Sequence, residues 1–87
     1  APLRVGLVSF DFREHPVSQL LVEMLEGLDR GRIELLLYSS GPDDGSALRA
    51  RMAAAAHRFT DIRGLADAEA AARIRADGVD LLVDLMG

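Results

Sequence analysis

The sequence predicts an α/β fold, three layers deep (α/β/α), built on a parallel sheet. Short runs rich in Leu, Val and Ile recur along the chain, and stretches with helical periodicity separate them. Gly, Pro, Ser or Asp marks most of the junctions. Apolar runs of strand length are the pattern of strands buried on both faces. Strands that alternate with helices imply parallel neighbours, because parallel pairing needs a crossover, and right-handed crossovers lay the helices on the sheet.

The first strand is Leu3–Ser9 (LRVGLVS). Pro16 then opens a helix, where its missing N–H is not needed. Val17, Leu20, Leu21, Met24, Leu25 and Leu28 form one wide apolar stripe on it, and Gly31 is its expected stop. Ile33–Ser39 (IELLLYS) is the second strand, and Ser40–Ser46 (SGPDDGS) is the strongest loop signal in the chain. Ser46 caps a helix from about Ala47 to Ala56 with Leu48 and Met52 inward. A short, half-polar strand follows over His57–Ile62, broken by Gly64. The alanine-rich helix Asp67–Ala76 carries its apolar marks at Ala68, Ala71, Ala72 and Ile74 and stops at Gly78. Val79–Leu85 (VDLLVDL) is the fourth strand. The pattern β-α-β-α-β-α-β is Rossmann-like, with an expected strand order of 3-2-1-4 by analogy with doubly wound sheets. The expected core includes Val5, Leu7, Leu36, Leu82 and Val83.

Composition narrows the function. With 87 residues there is room for one small domain, and a hydrophobic fraction of 49% argues for a packed core. The net charge is −4, and the ten basic residues, all arginine, are scattered among acids, which argues against nucleic acid. The chain lacks cysteine, which rules out disulfides and thiolate chemistry here and fits a reducing compartment. No apolar run reaches the ~18 residues of a membrane helix. The chain opens almost inside a strand and ends on Gly87 just after another, so a piece of a longer protein is expected.

Ligands of open parallel sheets bind beyond the carboxyl ends of the strands, beside the point where strand order reverses. With order 3-2-1-4 that point lies between the first and fourth strands. The segments reaching that edge are Phe10–His15, Ser40–Ser46, Arg63–Leu65 and Met86–Gly87. The first of these loops has no glycine, and Ser39 and Ser40 stand where a dinucleotide site would need an acid, which argues against NAD or FAD. The loop instead sets the imidazole of His15 at a helix N-terminus. Histidine exchanges protons near neutral pH, and the helix dipole disfavours its cation, as suits a base. Taken from spacing alone, a cap or a solvated loop residue is the plainer reading of His15.

Asp43 and Asp44 could together hold a metal, but a tight turn with a helix cap is the simpler reading. Asp80 and Asp84 share a face of the fourth strand and need partners there. His57 is expected to be half exposed, with no evident partner. A receiver-like module would place Asp11 suitably, but such a site also expects a lysine, and the chain has none.

Three separated motifs carry a resemblance. Leu3–Ser9 with Asp11-Phe12 and His15-Pro16 resembles the opening of the protein O-GlcNAc transferase catalytic region. Tyr38, Pro42–Ser46 and Arg49 are similar to that family's P-D-D-G segment, and Asp77–Gly87 is similar to its D-G-I-x-I-L-V strand. The resemblance runs in register from end to end. It implies part of the N-terminal, acceptor-facing lobe of a GT-B glycosyltransferase, with residues 1–87 forming one Rossmann-like half-domain that is inactive alone. It further implies transfer of N-acetylglucosamine from UDP-GlcNAc to Ser and Thr hydroxyls of proteins, with inversion and with neither a catalytic metal nor a cofactor. Most of the donor site would belong to a C-terminal lobe, and upstream TPR repeats would recruit substrates in the cytoplasm, with no membrane or nucleic-acid partner. His15 is the implied catalytic base, and Asp11, Phe12, Pro16 and Gly87 are the implied substrate-binding residues. Two positions depart from the family: Arg13 stands where glycine is common, and Ala72 where some members carry an acid. Plant relatives that use GDP-fucose share this layout, so a protein O-fucosyltransferase stays open as an alternative. A non-catalytic binding or interaction module also stays open.

Overall fold

The computed structural model describes residues 2–12 and 18–85. Seven elements alternate along the chain: β1 Leu3–Ser9, α1 Ser18–Glu26, β2 Ile33–Ser39, α2 Ala47–Ala55, β3 Arg58–Asp61, α3 Asp67–Ala76 and β4 Leu81–Asp84. The sheet order is β3-β2-β1-β4, the order expected by analogy with doubly wound sheets, and every pairing is parallel, as the alternation of strands and helices predicts. Leu3 lies opposite Ile33 and Ser9 opposite Ser39, so β1 and β2 end level at their carboxyl ends.

Strand β2 explains why its sequence is an unbroken apolar run. Leu35 and Leu37 point to one face, where they join Leu7, Phe12, Val22, Leu25, Leu48 and Met52 beneath α1 and α2. Leu36 and Tyr38 point to the other face, where they meet Ile62 and the inner side of α3 at Ala70 and Ile74. Both faces of β2 are therefore core, with no wet side to carry polar residues.

Several boundaries differ from expectation. Helix α1 ends at Glu26, a turn before Gly31. Gly27 closes it by donating to the carbonyls of Glu23 and Met24, and Asp29 then organises a separate turn, its side chain accepting from the Gly31 N–H. The α1 stripe is also rotated. Ser18, Val22 and Leu25 face inward, whereas Leu20 and Met24 are 70% and 59% exposed. The apolar set on α1 is wider than the surface available to cover it, and Val22 and Leu25 share the core with Leu48 and Met52 of α2. Pro16 and Val17 lie outside the described residues.

On α3, Ala68, Ala71 and Ala72 are exposed, and the inward pair is Ala70 and Ile74, four apart. The regular part of β4 is shorter than Val79–Leu85, although Asp80 and Leu85 continue the ladder by donating to the carbonyls of Arg4 and Val8. Of the expected core, Leu7 and Leu36 are buried, and Val5 and Val83 pack partly buried against it. Leu82 is 47% exposed, because β4 is an edge strand among the described residues and the short side chains of α3 leave its face uncovered.

Candidate functional site

The carboxyl ends of the strands gather Ser9 to Phe12 after β1, Ser39 to Gly41 after β2, Asp61 after β3 and Leu85 after β4. Where the order reverses, between β1 and β4, lies a crevice of about 260 Å³ lined by Ser9, Asp11, Ser18, Leu21 and Leu85. This is the position that the topology assigns to a ligand. A larger groove, about 480 Å³, runs between α2 and β3 past Asp43, Arg49 and Asp61. It lies away from the switch point, so its size does not make it the stronger candidate.

Three buried side chains fix the backbone of Asp11 and Phe12. The Asp11 N–H donates to Ser9 Oγ at 3.0 Å, and Ser18 Oγ donates to the Asp11 carbonyl at 2.9 Å. Arg49 Nη1 donates to the Phe12 carbonyl at 2.9 Å. Ser9, Ser18 and Arg49 are all buried. A buried carbonyl or amide left without a partner costs about 1–3 kcal/mol, so these bonds specify one path for the chain leaving β1.

Arg49 belongs to α2, three residues after its cap. Ser46 Oγ accepts from the Arg49 N–H, which starts the helix in the expected place. The guanidinium then reaches Ser39 Oγ at 2.9 Å and Asp43 Oδ1 at 3.2 Å, and it stacks over the Phe59 ring at 4.8 Å. The Asp43 and Asp44 side chains accept from the N–H groups of Gly45 and Ser46, and Gly45 takes φ +67°. The pair therefore builds the turn and its cap. Among the described residues, no group of three or more potential ligands could hold a metal ion.

The loops after β1 and β2 touch at Gly41. A Cβ added there would run into the Phe10 carbonyl, so only glycine permits the crossing.

Of the residues singled out in the sequence, Asp11 lines the crevice, half buried. The Phe12 ring is fully buried and packs against Phe59 at 5.9 Å between centroids. His15, Pro16 and Gly87 lie outside the described residues. Asp80 finds a partner in the Arg4 N–H, at 2.9 Å. His57 also has a partner, contrary to expectation: its ring is exposed, but Nδ1 accepts from the Leu35 N–H at 3.0 Å. Sequence reasoning gave Arg49 no site role. The available signal was its place on the inward phase of α2, with Leu48, Met52 and Ala55, where a charged side chain needs partners.

An open parallel α/β sheet with a crevice at its topological switch point defines a class of ligand-binding α/β domain. Within that class the chain belongs to glycosyltransferase family 41, whose family model matches residues 1–87. It is 33% identical over 86 residues to the UDP-N-acetylglucosamine–peptide N-acetylglucosaminyltransferase of Caenorhabditis elegans, covering 98% of this chain and 8% of that protein. It is 31% identical over 85 residues to the probable UDP-N-acetylglucosamine–peptide N-acetylglucosaminyltransferase SEC of Arabidopsis thaliana, covering 98% of this chain and 9% of that one. The solved structure of an O-GlcNAc transferase mutant from Thermobaculum terrenum superposes with a TM-score of 0.90 at 42% identity, over 97% of this chain and 16% of that chain. The chain thus spans less than a tenth of the length of these two curated relatives.

Proposed function

We propose that this chain is part of the acceptor-facing, N-terminal lobe of a GT-B protein glycosyltransferase that moves N-acetylglucosamine from UDP-GlcNAc to Ser and Thr hydroxyls. The observation that carries this reading is the family match over residues 1–87, joined to a fixed Asp11-Phe12 corner at the switch-point crevice.

In the proposed reaction, His15 takes the proton of the acceptor hydroxyl as its oxygen attacks the anomeric carbon. The C–O bond to UDP breaks on the opposite face, which inverts that carbon, and UDP leaves with the bonding pair. Asp11 and the backbone around it form one wall of the acceptor site, and Pro16 and Gly87 are further proposed substrate-binding residues. The donor's diphosphate needs cationic or amide donors. The resemblance to the family assigns most of that role to a C-terminal lobe, and Arg49 is itself bonded to Phe12, Ser39 and Asp43. No helix among the described residues is long and apolar enough to cross a membrane. A cytoplasmic enzyme whose TPR repeats recruit its protein substrates completes the reading. Leu81, Leu82 and Leu85 leave an exposed apolar edge on β4, suited to further parts of such a catalytic region.

The test is His15→Ala in the full-length enzyme, assayed with UDP-GlcNAc and a peptide acceptor, beside thermal melts. Loss of a general base lowers turnover by roughly 10²–10⁴, whereas an exposed loop change moves stability by about 0.5 kcal/mol. Near wild-type turnover would reduce His15 to a cap, and unfolding would make it structural. Turnover with GDP-fucose in place of UDP-GlcNAc would assign the fucosyl donor instead.

A further inference from the structure

We infer that Arg49 is a positioning residue for the transfer reaction, acting through the backbone that leaves β1. The inference rests on the reading of His15 given above. Arg49 is only 7% exposed, yet its bonds run to three separate segments: the Phe12 carbonyl after β1, Ser39 Oγ at the end of β2 and Asp43 Oδ1 in the loop before α2. A planar guanidinium can satisfy several acceptors in fixed directions, which an ammonium cannot do. Its flat face also rests on Phe59, whose ring packs on Phe12. Arg49 therefore holds Phe12 by its carbonyl directly and by its ring through Phe59.

The same corner is held from the other side. Ser18 Oγ, at the start of α1, donates to the Asp11 carbonyl. His15 lies in sequence between Phe12 and Ser18, and both of these flanking residues are anchored by buried hydrogen bonds. Gly41 adds a third constraint, since the loop after β2 crosses Phe10 with no room for a methyl group. A fold that needed only stability at this corner could fill it with apolar side chains. A buried cation that binds two strand ends and a loop instead specifies one geometry for the crevice wall. Misplacement of a reacting group by about 1 Å can cost on the order of 10²-fold in rate.

The experiment uses the full-length enzyme with UDP-GlcNAc and a peptide acceptor. Arg49→Met is expected to lower kcat by roughly 10²-fold while KM for UDP-GlcNAc moves by less than about 3-fold, with Arg49→Lys between it and the wild type. Combining Arg49→Met with His15→Ala should give a double variant within about 3-fold of His15→Ala alone, because the two changes remove one function. If Arg49→Met does not fold, Ser39→Ala removes a single acceptor of the same guanidinium and should give a smaller kcat loss, likewise absent on the His15→Ala background. Losses that multiply in the double variant, or a folded Arg49 variant with unchanged kcat, overturn the inference and leave the role of His15 standing. If His15→Ala alone keeps full turnover, the reading of His15 and the inference fall together.

Discussion

Tyr38, in β2, donates its phenolic hydrogen to Asp77, the C-cap of α3, across 2.7 Å, although 39 residues separate them in sequence. The Asp77 carboxylate also accepts from Arg58 at 3.1 Å and Arg73 at 3.3 Å. Strand β2, strand β3 and helix α3 thus converge on one buried carboxylate. Burial would push the Asp77 pKa up, but the Tyr38 hydroxyl and the charges of Arg73 and Arg58 outweigh it and hold the carboxyl below its ordinary value. Burial, with the bond to Asp77, raises the Tyr38 phenol well above its usual range.

A carboxyl whose pKa is lower in the folded than in the unfolded state binds fewer protons when folded. Its contribution is complete above the unfolded value of about 3.9 and drains away as pH falls through the lower folded value. Asp77→Asn should therefore be less stable at neutral pH and lose less of that stability on acidification, in urea melts run from pH 7 down through about 3. Tyr38→Phe should cost about 1 kcal/mol, less than the loss of Asp77, because both arginines still satisfy the carboxylate. Parallel acid profiles for wild type and Asp77→Asn would contradict the assignment.

The glycines separate close approach from ordinary loop chemistry. Gly41→Ala forces the loops after β1 and β2 apart, because the new methyl group meets the Phe10 carbonyl, which is backbone and cannot swing away. A loss of about 1–3 kcal/mol is expected, as for other overpacked sites, together with reduced turnover in the full enzyme. Gly64→Ala is the control: its methyl meets nothing within 4 Å, and the change should stay within about 0.5 kcal/mol. Equal melting temperatures for the two variants would refute the crossing.

The fold was legible because its signals are local. The apolar runs of β1 and β2 marked strands to the residue, and Ser46 and Gly78 marked a helix start and stop. Parallel pairing followed from the crossover rule, and the strand order from analogy with doubly wound sheets. Faces were harder to read. On α1 the apolar set exceeds what the core covers, so periodicity alone could not choose Val22 over Leu20 and Met24. On α3 alanine sits on every side, so the inward pair Ala70 and Ile74 is fixed by the tertiary contact with Leu36, Tyr38 and Ile62. Topology also placed the Asp11 segment at the edge where the crevice between β1 and β4 opens. Arg49, Ser9 and Ser18 were not readable as a group, because their shared targets are backbone atoms of Asp11 and Phe12, and backbone acceptors leave no trace in residue identity.

The two histidines should behave in opposite ways. His57 stands just before β3, at the amino end of the sheet, away from the crevice. Its ring accepts from the Leu35 N–H and the His57 backbone N–H donates to the Leu35 carbonyl at 2.8 Å, so the residue closes the first link between β2 and β3. Accepting at Nδ1 places the ring proton on Nε2. His57→Ala leaves the amide of buried Leu35 without that acceptor, which should cost about 1–3 kcal/mol. The damage should be greatest at β3, a four-residue strand at the edge of the sheet among the described residues. Hydrogen exchange should accelerate first at Leu35 and along Arg58–Asp61. His57→Asn, whose Oδ1 can stand near the position of Nδ1, should recover part of the loss. Turnover of folded His57→Ala should stay near that of the wild type, in contrast to His15→Ala. A catalytic defect in His57→Ala without a change in stability would show that the imidazole serves the reaction and not the sheet.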